Sequence, residues 1–410
     1  MRRLLQGDVG AGKTVVAAFL AAHVQRSGYS AVLLAPTDIL ARQHAATFRK
    51  MFAGLHVEFV CITRTERTAY LDQEERPLKP LELQERIQKG NLVLVGTHAL
   101  LYNNRLPEDL ALAVVDEQHR FGVAQREELT RTRGSRACTP HFLSMTATPI
   151  PRSLALTIYG DLEVSLIRQK PKGRQPIKTS LCVGDERARA YAAIREAVKR
   201  GEQAFVVCPL VDPSDALGVR SATEERTRLE QGPLFGLRLG LVHGRLKPAE
   251  KEEAMNAFAR HELDVLVATA VIEVGVDVPN ATVMVIEGAE RFGLAQLHQF
   301  RGRVGRSAKS SFCYLLTDAE QSTARLELLE RIDDGFALAE EDLRLRGSGQ
   351  LMGTEQSGHG AFKTVRETDL KLMALAAEEA ARYLETDPQL EQVKQWKDAI
   401  QGLQKTEHLE

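Results

Sequence analysis

Short β-branched and leucine-rich runs alternate with helix-patterned segments along most of this chain, and few folds accommodate that alternation. Strand candidates are Arg3–Gln6, Ser30–Leu34, Val57–Cys61, Leu92–Val95, Ala111–Val115 and His141–Ser144. Helix-like stretches such as Lys13–His23 and Asp38–Phe52 lie between them. Strand, helix, strand in repetition is the signature of a parallel sheet with crossover helices. The pattern breaks at "RQKPKGRQPIK" (168–178), whose two prolines, glycine and five basic residues read as an interdomain linker. It resumes with Ala204–Cys208, Arg238–Val242, Val265–Ala268, Thr282–Ile286 and Ser311–Leu316. After Asp318 the strand signals stop, and charged helices flank a glycine-rich stretch, Gly347–Gly360. The expected class is α/β: parallel-sheet lobes at 1–167 and 179–318, linker 168–178, and a helical C-terminal region at 319–410.

Composition sets limits on partners. The chain has 410 residues and a net charge of −1, so a grip on nucleic acid must come from local basic patches. Cys61, Cys138, Cys182, Cys208 and Cys313 stand far apart with no CxxC pair, which predicts buried small side chains and not a zinc site or disulfide framework. No run approaches the ~20 apolar residues of a membrane span, and no secretory leader is legible, so a reducing cytoplasm is expected.

The opening stretch "LLQGDVGAGKTVVAAFLAA" (4–22) contains Gly7, Asp8, Gly10, Gly12, Lys13 and Thr14 in the order G-x-x-x-x-G-K-[ST]. Glycines let a backbone wrap phosphates with its N–H groups, and the following helix points its positive end at them. Lys13 would reach the β and γ phosphates of ATP, and the Thr14 hydroxyl would ligate Mg²⁺. In "LALAVVDEQHRFGV" (110–123) an apolar strand ends in Asp116 and Glu117, at the edge where such a sheet presents its ligand. Asp116 can hold Mg²⁺ through water, and Glu117 can polarise the attacking water. His119 reads equally as a functional or a core histidine. In "HQFRGRVGRSAKSSF" (298–312), glycines separate Arg301, Arg303 and Arg306, so the guanidinium groups are expected to point at one place. They would supply the cation on a γ-phosphate from a second lobe, the alternative being a basic surface loop.

"GDVGAGKT", "APTDILARQH", "GTHAL", "DEQH", "MTATPIPRSLALTIYGDL", "ATAVIEVGVDVPNATVMVIEGAERFGLAQLHQFRGRVGRS" and "DGFALAEEDLRLRGSGQLMGTEQSG" occur in that order. The series resembles the superfamily 2 helicases and, within them, the RecG family of bacterial ATP-dependent DNA branch-migration helicases. The resemblance implies tandem RecA-like P-loop lobes, ATP and Mg²⁺, and a monomer that holds branched or duplex DNA through its backbone, with no membrane partner. It implies unwinding or branch migration of forked and Holliday-type DNA in recombination and repair. Gly7, Gly10, Gly12, Lys13 and Thr14 match the nucleotide motif, with Asp116 and Glu117 as the metal and water-activating pair. Gln299, Arg303 and Arg306 match QxxGRxGR, the arginines in finger roles. Thr146 and Thr148 match the segment linking hydrolysis to DNA movement. Thr37, Thr97 and His98 match motifs lining the nucleic-acid track, and Asp277 the motif touching nucleotide and DNA. His119 falls in "DEQH". Arg344, Arg346 and Gln356 are polar candidates in a translocation hairpin at about 334–358, with a solvated helix end as the alternative.

Proteins of that family carry an N-terminal wedge domain and adenine-contacting residues ahead of the P-loop. Met1 stands six residues before Gly7, so the resemblance implies a motor portion without them. The transcription-repair coupling factor shares "TATPIPR" and "RGRVGR", which leaves open a duplex DNA translocase of that type. An RNA translocase, or a nucleotide- and nucleic-acid-binding fragment without turnover, also stays open. Aromatics are only 5% of the chain, and no segment suggests base readout, so backbone tracking is the expected mode.

Overall fold

The structure, a computed structural model, describes residues 1–64, 66–72, 74–101, 106–117, 123–131, 139–148, 162–169, 175–209, 222–270, 278–318, 323–346 and 370–388. The first lobe is a nine-stranded sheet. Its strands are β1 (Arg2–Gly7), β2 (Ser30–Ala35), β3 (Glu58–Ile62), β4 (Arg67–Leu71), β5 (Glu74–Pro77), β6 (Val93–Thr97), β7 (Leu110–Asp116), β8 (His141–Thr146) and β9 (Glu163–Ile167). They lie in the order β5-β4-β3-β6-β2-β7-β8-β1-β9. Every residue of β2 and β6 is buried. A strand covered by helices on both faces has no solvated side, so its sequence is apolar throughout and does not alternate.

Helices α1 (Lys13–Arg26), α2 (Asp38–Phe52), α3 (Pro80–Lys89) and α4 (Val123–Thr130) complete this lobe. Ala17, Ala18 and Ala21 of α1 and Phe48 and Phe52 of α2 pack over Leu33, Val95, Val114 and Met145. Phe59 stacks on Tyr70 with centroids 4.7 Å apart, tying the β4 ribbon to that core. Strands β4 and β5 pair antiparallel at one edge and β9 adds parallel to β1 at the other. None of the three was among the expected strands. All four residues of β5 are exposed, and most of β9 is only half-buried, so neither carries an apolar run.

The second lobe has six parallel strands: β10 (Ile177–Val183), β11 (Gln203–Val207), β12 (Leu239–Val242), β13 (Val265–Ala268), β14 (Ala281–Ile286) and β15 (Ser311–Thr317). Their order is β10-β15-β14-β11-β13-β12. Side chains alternate between two cores: Phe205 and Val207 face Phe258, Met284 and Phe300, while Ala204 and Val206 face Ile194, Val285 and Leu316. Helices α5 (Arg187–Lys199), α6 (Ala222–Gln231), α7 (Pro248–Ala259) and α8 (Leu294–Arg301) cover the sheet. Strand β10 begins inside the expected linker. Ile177 pairs with Ser311 and Lys178 with Phe312, so these two residues belong to the sheet.

Among the described residues only helices follow β15: α9 (Thr323–Arg331), α10 (Gly335–Arg346) and α11 (Leu370–Thr386). The expected C-terminal region divides differently. One compact unit holds Met1–Ile150 with Leu162–Leu345, and the other holds Pro151–Asp161 with Arg346–Glu410. Helices α9 and α10 therefore go with the lobes, because Leu326, Leu329 and Leu338 enter the second-lobe core. Their charged faces hid those few apolar anchors. Cys61, Cys182, Cys208 and Cys313 are buried free thiols, and Cys138 lies outside the described residues.

Candidate functional site

Strand β1 ends at Gly7, and the chain bends through Asp8–Gly12 into α1. Gly12 caps that helix with φ 96°, a left-handed conformation in which a side chain would clash with its own backbone. The bend thus leads straight into the N-terminus of α1, the end of a helix that favours an anion. Lys13 Nζ donates to the Gly7 carbonyl at 2.7 Å and the Asp8 carbonyl at 3.1 Å. Burial lowers its pKa, and nearby Arg303 adds to this, while Asp116, Glu117 and Asp8 pull the other way. Four of the expected site residues thus act electrostatically on one ammonium.

Asp116 closes β7. Burial alone would raise its pKa, yet it is held below the ordinary carboxylate value by His44, by Lys13 and by the Glu117 N–H. The His44 contact is Nε2 to Oδ2 at 2.8 Å. Sequence reasoning missed His44, although a signal existed. It shares the buried face of α2 with Ala41, Ala45, Phe48 and Phe52, at helical spacing.

Glu117 turns off the strand with φ 53°, unusual for a residue with a side chain, and its N–H donates to the Met145 carbonyl at 2.9 Å. The turn swings its carboxylate over the end of β8. There it accepts from the Ala147 N–H at 3.2 Å and the Thr146 hydroxyl at 3.3 Å. Burial, then the neighbouring Asp116 charge, pushes its pKa up to about 7. A carboxyl poised there can exchange a proton near neutral pH.

The second lobe reaches this cluster through α8 and the turn after it. Gln299 Nε2 donates to Thr148 Oγ1 at 2.6 Å, and the Thr148 N–H donates to Thr146 Oγ1 at 3.1 Å. A line of hydrogen bonds therefore runs from Gln299 to Glu117. Arg303 acts electrostatically on both Lys13 and Glu117. Arg306 donates from Nε to the Gly302 carbonyl at 3.4 Å. Gly302 touches the phosphate loop itself: a Cβ there would stand 2.9 Å from Val9 Cβ.

Arg301 corrects the expectation that three arginines converge. Its guanidinium is buried and donates to the carbonyls of Leu329 (2.8 Å), Ile332 (3.0 Å) and Asp333 (3.3 Å) at the end of α9. It also donates to His298 Nδ1 at 2.8 Å. A guanidinium can only donate, so Nδ1 accepts and the His298 proton sits on Nε2. That Nε2 lies 2.7 Å from Asp8 Oδ1, joining the phosphate loop to α8.

Thr37, Thr97 and His98 gather elsewhere, along a groove of about 600 Å³ between the lobes. Thr37 also has a local task, since its hydroxyl caps α2 by accepting the Leu40 N–H at 3.3 Å. Arg344 pairs with Glu341 on the exposed side of α10, whose last residue is Arg346. His119, Asp277 and Gln356 lie outside the described residues.

A phosphate loop and acidic pair on one parallel-sheet lobe, faced by Gln299 and Arg303 from a second, define a two-lobe P-loop protein of the helicase class. Family comparison agrees. The DEAD/DEAH box helicase domain matches residues 2–157, the helicase conserved C-terminal domain 189–308, and the C-terminal part of domain 3 of ATP-dependent DNA helicase RecG 332–407. The ATP-dependent DNA helicase RecG of Synechocystis is 47% identical over 395 residues, 95% of this chain and 46% of that one. The protein of the same name from Escherichia coli K12 is 45% identical over 88% of this chain and 52% of its own. A solved structure of RecG bound to a three-way DNA junction superposes with a TM-score of 0.73 and 38% identity, over 92% of this chain and 47% of that one. The chain belongs to the RecG family of helicases. It spans about half the length of the relatives it matches.

Proposed function

We propose that this chain is an ATP-driven DNA motor that works on branched DNA. The observation that carries the reading is the contact of Gln299 with Thr148, beside which the Arg303 charge acts on Lys13 and Glu117. A nucleotide there would touch both lobes, so its hydrolysis would alter how they meet. Gly7, Gly10, Gly12 and the start of α1 would cradle the phosphates. Lys13, now on loop carbonyls, would exchange them for phosphate oxygens, and Asp8 and His298 would fix the loop. Thr14 and Asp116 offer hard oxygen donors, the chemistry Mg²⁺ selects. When bound there, Mg²⁺ would neutralise charge on the phosphates. Glu117 orients the water and takes its proton at a carboxylate oxygen, while Thr146 and the Ala147 N–H hold that carboxylate in place. Arg303, with Arg306 as its companion, stabilises the charge that develops on the transferred phosphoryl group.

Coupling to DNA would run through Thr146 and Thr148 to Gln299, and onward to the groove of Thr37, Thr97 and His98. Asp277, Arg344, Arg346 and Gln356 keep their family roles, and His119 its coupling role, as proposals. Strand tracking would use the backbone, by a monomer. ATPase rates without DNA and with single-stranded, duplex and forked DNA test the reading. Stimulation highest with the fork is expected, whereas a rate indifferent to all DNA refutes a DNA motor.

A further inference from the structure

We propose that Arg64 and Arg67, flanking the turn between β3 and β4, bind phosphates of a single DNA strand lying in the interlobe groove. The proposal rests on the functional reading above and adds a subsite from outside the matched motifs. Both arginines line the groove with Thr37, Thr97 and His98, and Lys251 of α7 lines it from the second lobe. The volume of about 600 Å³ is within the range of ligand clefts, about 300–1,000 Å³. Ile62, Leu100 and Met255 give it an apolar floor suited to sugar and base faces.

Arginine pairing singles these two out. The other arginines of this corner are all neutralised: Arg49 by Glu75, Arg76 by Glu82, Arg86 by Glu58. Arg42 is held by Glu66 at 2.7 Å and by Glu252 of the second lobe. That contact also occupies one of the acidic groups that line the groove, Glu252. Among the described residues, Arg64 and Arg67 have no ion-pair partner. The turn that carries them is nevertheless fixed, with the Thr63 N–H on the Glu66 carbonyl at 2.9 Å and the Glu66 N–H on Thr63 Oγ1 at 3.1 Å. Arginines without an ion-pair partner beside hydroxyls and an apolar floor suit a phosphodiester strand, and of the two acidic residues that line the groove Glu252 is taken up by Arg42 while Asp38 remains.

The test is binding of a fluorescent oligo-dT to the full chain by anisotropy between roughly 50 and 200 mM NaCl, a range over which phosphate contacts dominate the salt response. Each single-strand phosphate contact adds about 0.7 to the slope of log K against log salt, so Arg64→Ala with Arg67→Ala should flatten it by about 1.4. The same relation gives an affinity loss of about 25-fold at 0.1 M salt. Arg64→Lys with Arg67→Lys should keep the slope, because charge and not the guanidinium fork is at work. The thermal midpoint of both double variants should match the parent. An unchanged slope in the alanine variant overturns the subsite alone. Failure of the unaltered chain to bind the oligonucleotide overturns the DNA reading, and the subsite with it. A lost slope in the folded lysine variant overturns the charge argument.

Discussion

Arg301 and Arg303 are two residues apart, yet they stand in different surroundings, and on the proposed function exchanging them for uncharged residues should separate stability from turnover. Arg301→Met keeps the aliphatic bulk and removes four hydrogen bonds, to three carbonyls and to His298 Nδ1. Leaving one buried acceptor without its donor costs about 1–3 kcal/mol when water is excluded, and four are left here. Here a cavity of about 180 Å³ borders Arg301, His298, Asp8 and Asp333, so water can reach part of what is orphaned. We therefore expect less than the full sum, about 2–4 kcal/mol, since a hydrated carbonyl recovers much of its lost bond. For a lobe of this size each kcal/mol shifts the midpoint by about 2–4 °C, giving a drop of roughly 5–15 °C in the second-lobe transition by calorimetry. Arg303→Ala removes a charge that acts on Lys13 and Glu117. It should leave the midpoint within about 2 °C and lower ATP turnover by about 10³-fold or more, the scale of an arginine finger. An unshifted transition in Arg301→Met, or near-parental turnover in Arg303→Ala, would refute this division of labour.

Lys13→Ala should abolish ATP turnover while circular dichroism and the thermal transition stay unchanged. Glu117→Gln should still bind ATP, measured with a fluorescent analogue, and should not hydrolyse it. Because burial raises Glu117 to about 7, the carboxylate proposed to orient the water is lost by protonation below that pH. The parent's kcat/KM should therefore fall about tenfold per unit on the acid side, and a flat profile from pH 6 to 8 would count against the role. Gly302→Ala should press on Val9, 2.9 Å from the added Cβ, and slow turnover about tenfold at an overpacking cost of about 1–3 kcal/mol. Val9→Ala should restore part of that loss, and additive losses in the double variant would show that no clash operates.

The phosphate loop and Asp116–Glu117 are legible in the sequence because their chemistry is carried by neighbouring residues and by the backbone itself. A glycine that must adopt φ 96° announces itself within eight residues. The central strands were equally plain, since a strand buried on both faces leaves an unbroken apolar run. The edge strands β5 and β9 left no such trace, because edges need no apolar pattern, and β4, second from the edge, buries only Thr68 and Ala69. Arg301 was misjudged for a geometrical reason. It is the last residue of α8, still in helical register with His298, and the helix buries that face along with Leu294 and Leu297. Arg303 lies beyond the helix end, where the chain turns back toward the phosphate loop. Glycine spacing in a linear sequence does not reveal where a helix stops.

The register of α8 has a further consequence. Two hydrogen-bond lines cross from the first lobe and reach adjacent residues of this one helix, Gln299 and His298. One leaves the Glu117 carboxylate and passes through Thr146 and Thr148 to Gln299. The other leaves Asp8 in the phosphate loop, reaches His298, and continues through Arg301 to the carbonyls ending α9. Adjacent helical residues point about 100° apart but move as one body. A change in the phosphate loop and a change at Glu117 would therefore be imposed on the same rigid element. The helix is in turn fastened to α9, and the chain leaves α9 directly for α10. Whether ATP is bound, and whether its water is in place, would thus be sensed together by the segment that carries Arg344 and Arg346.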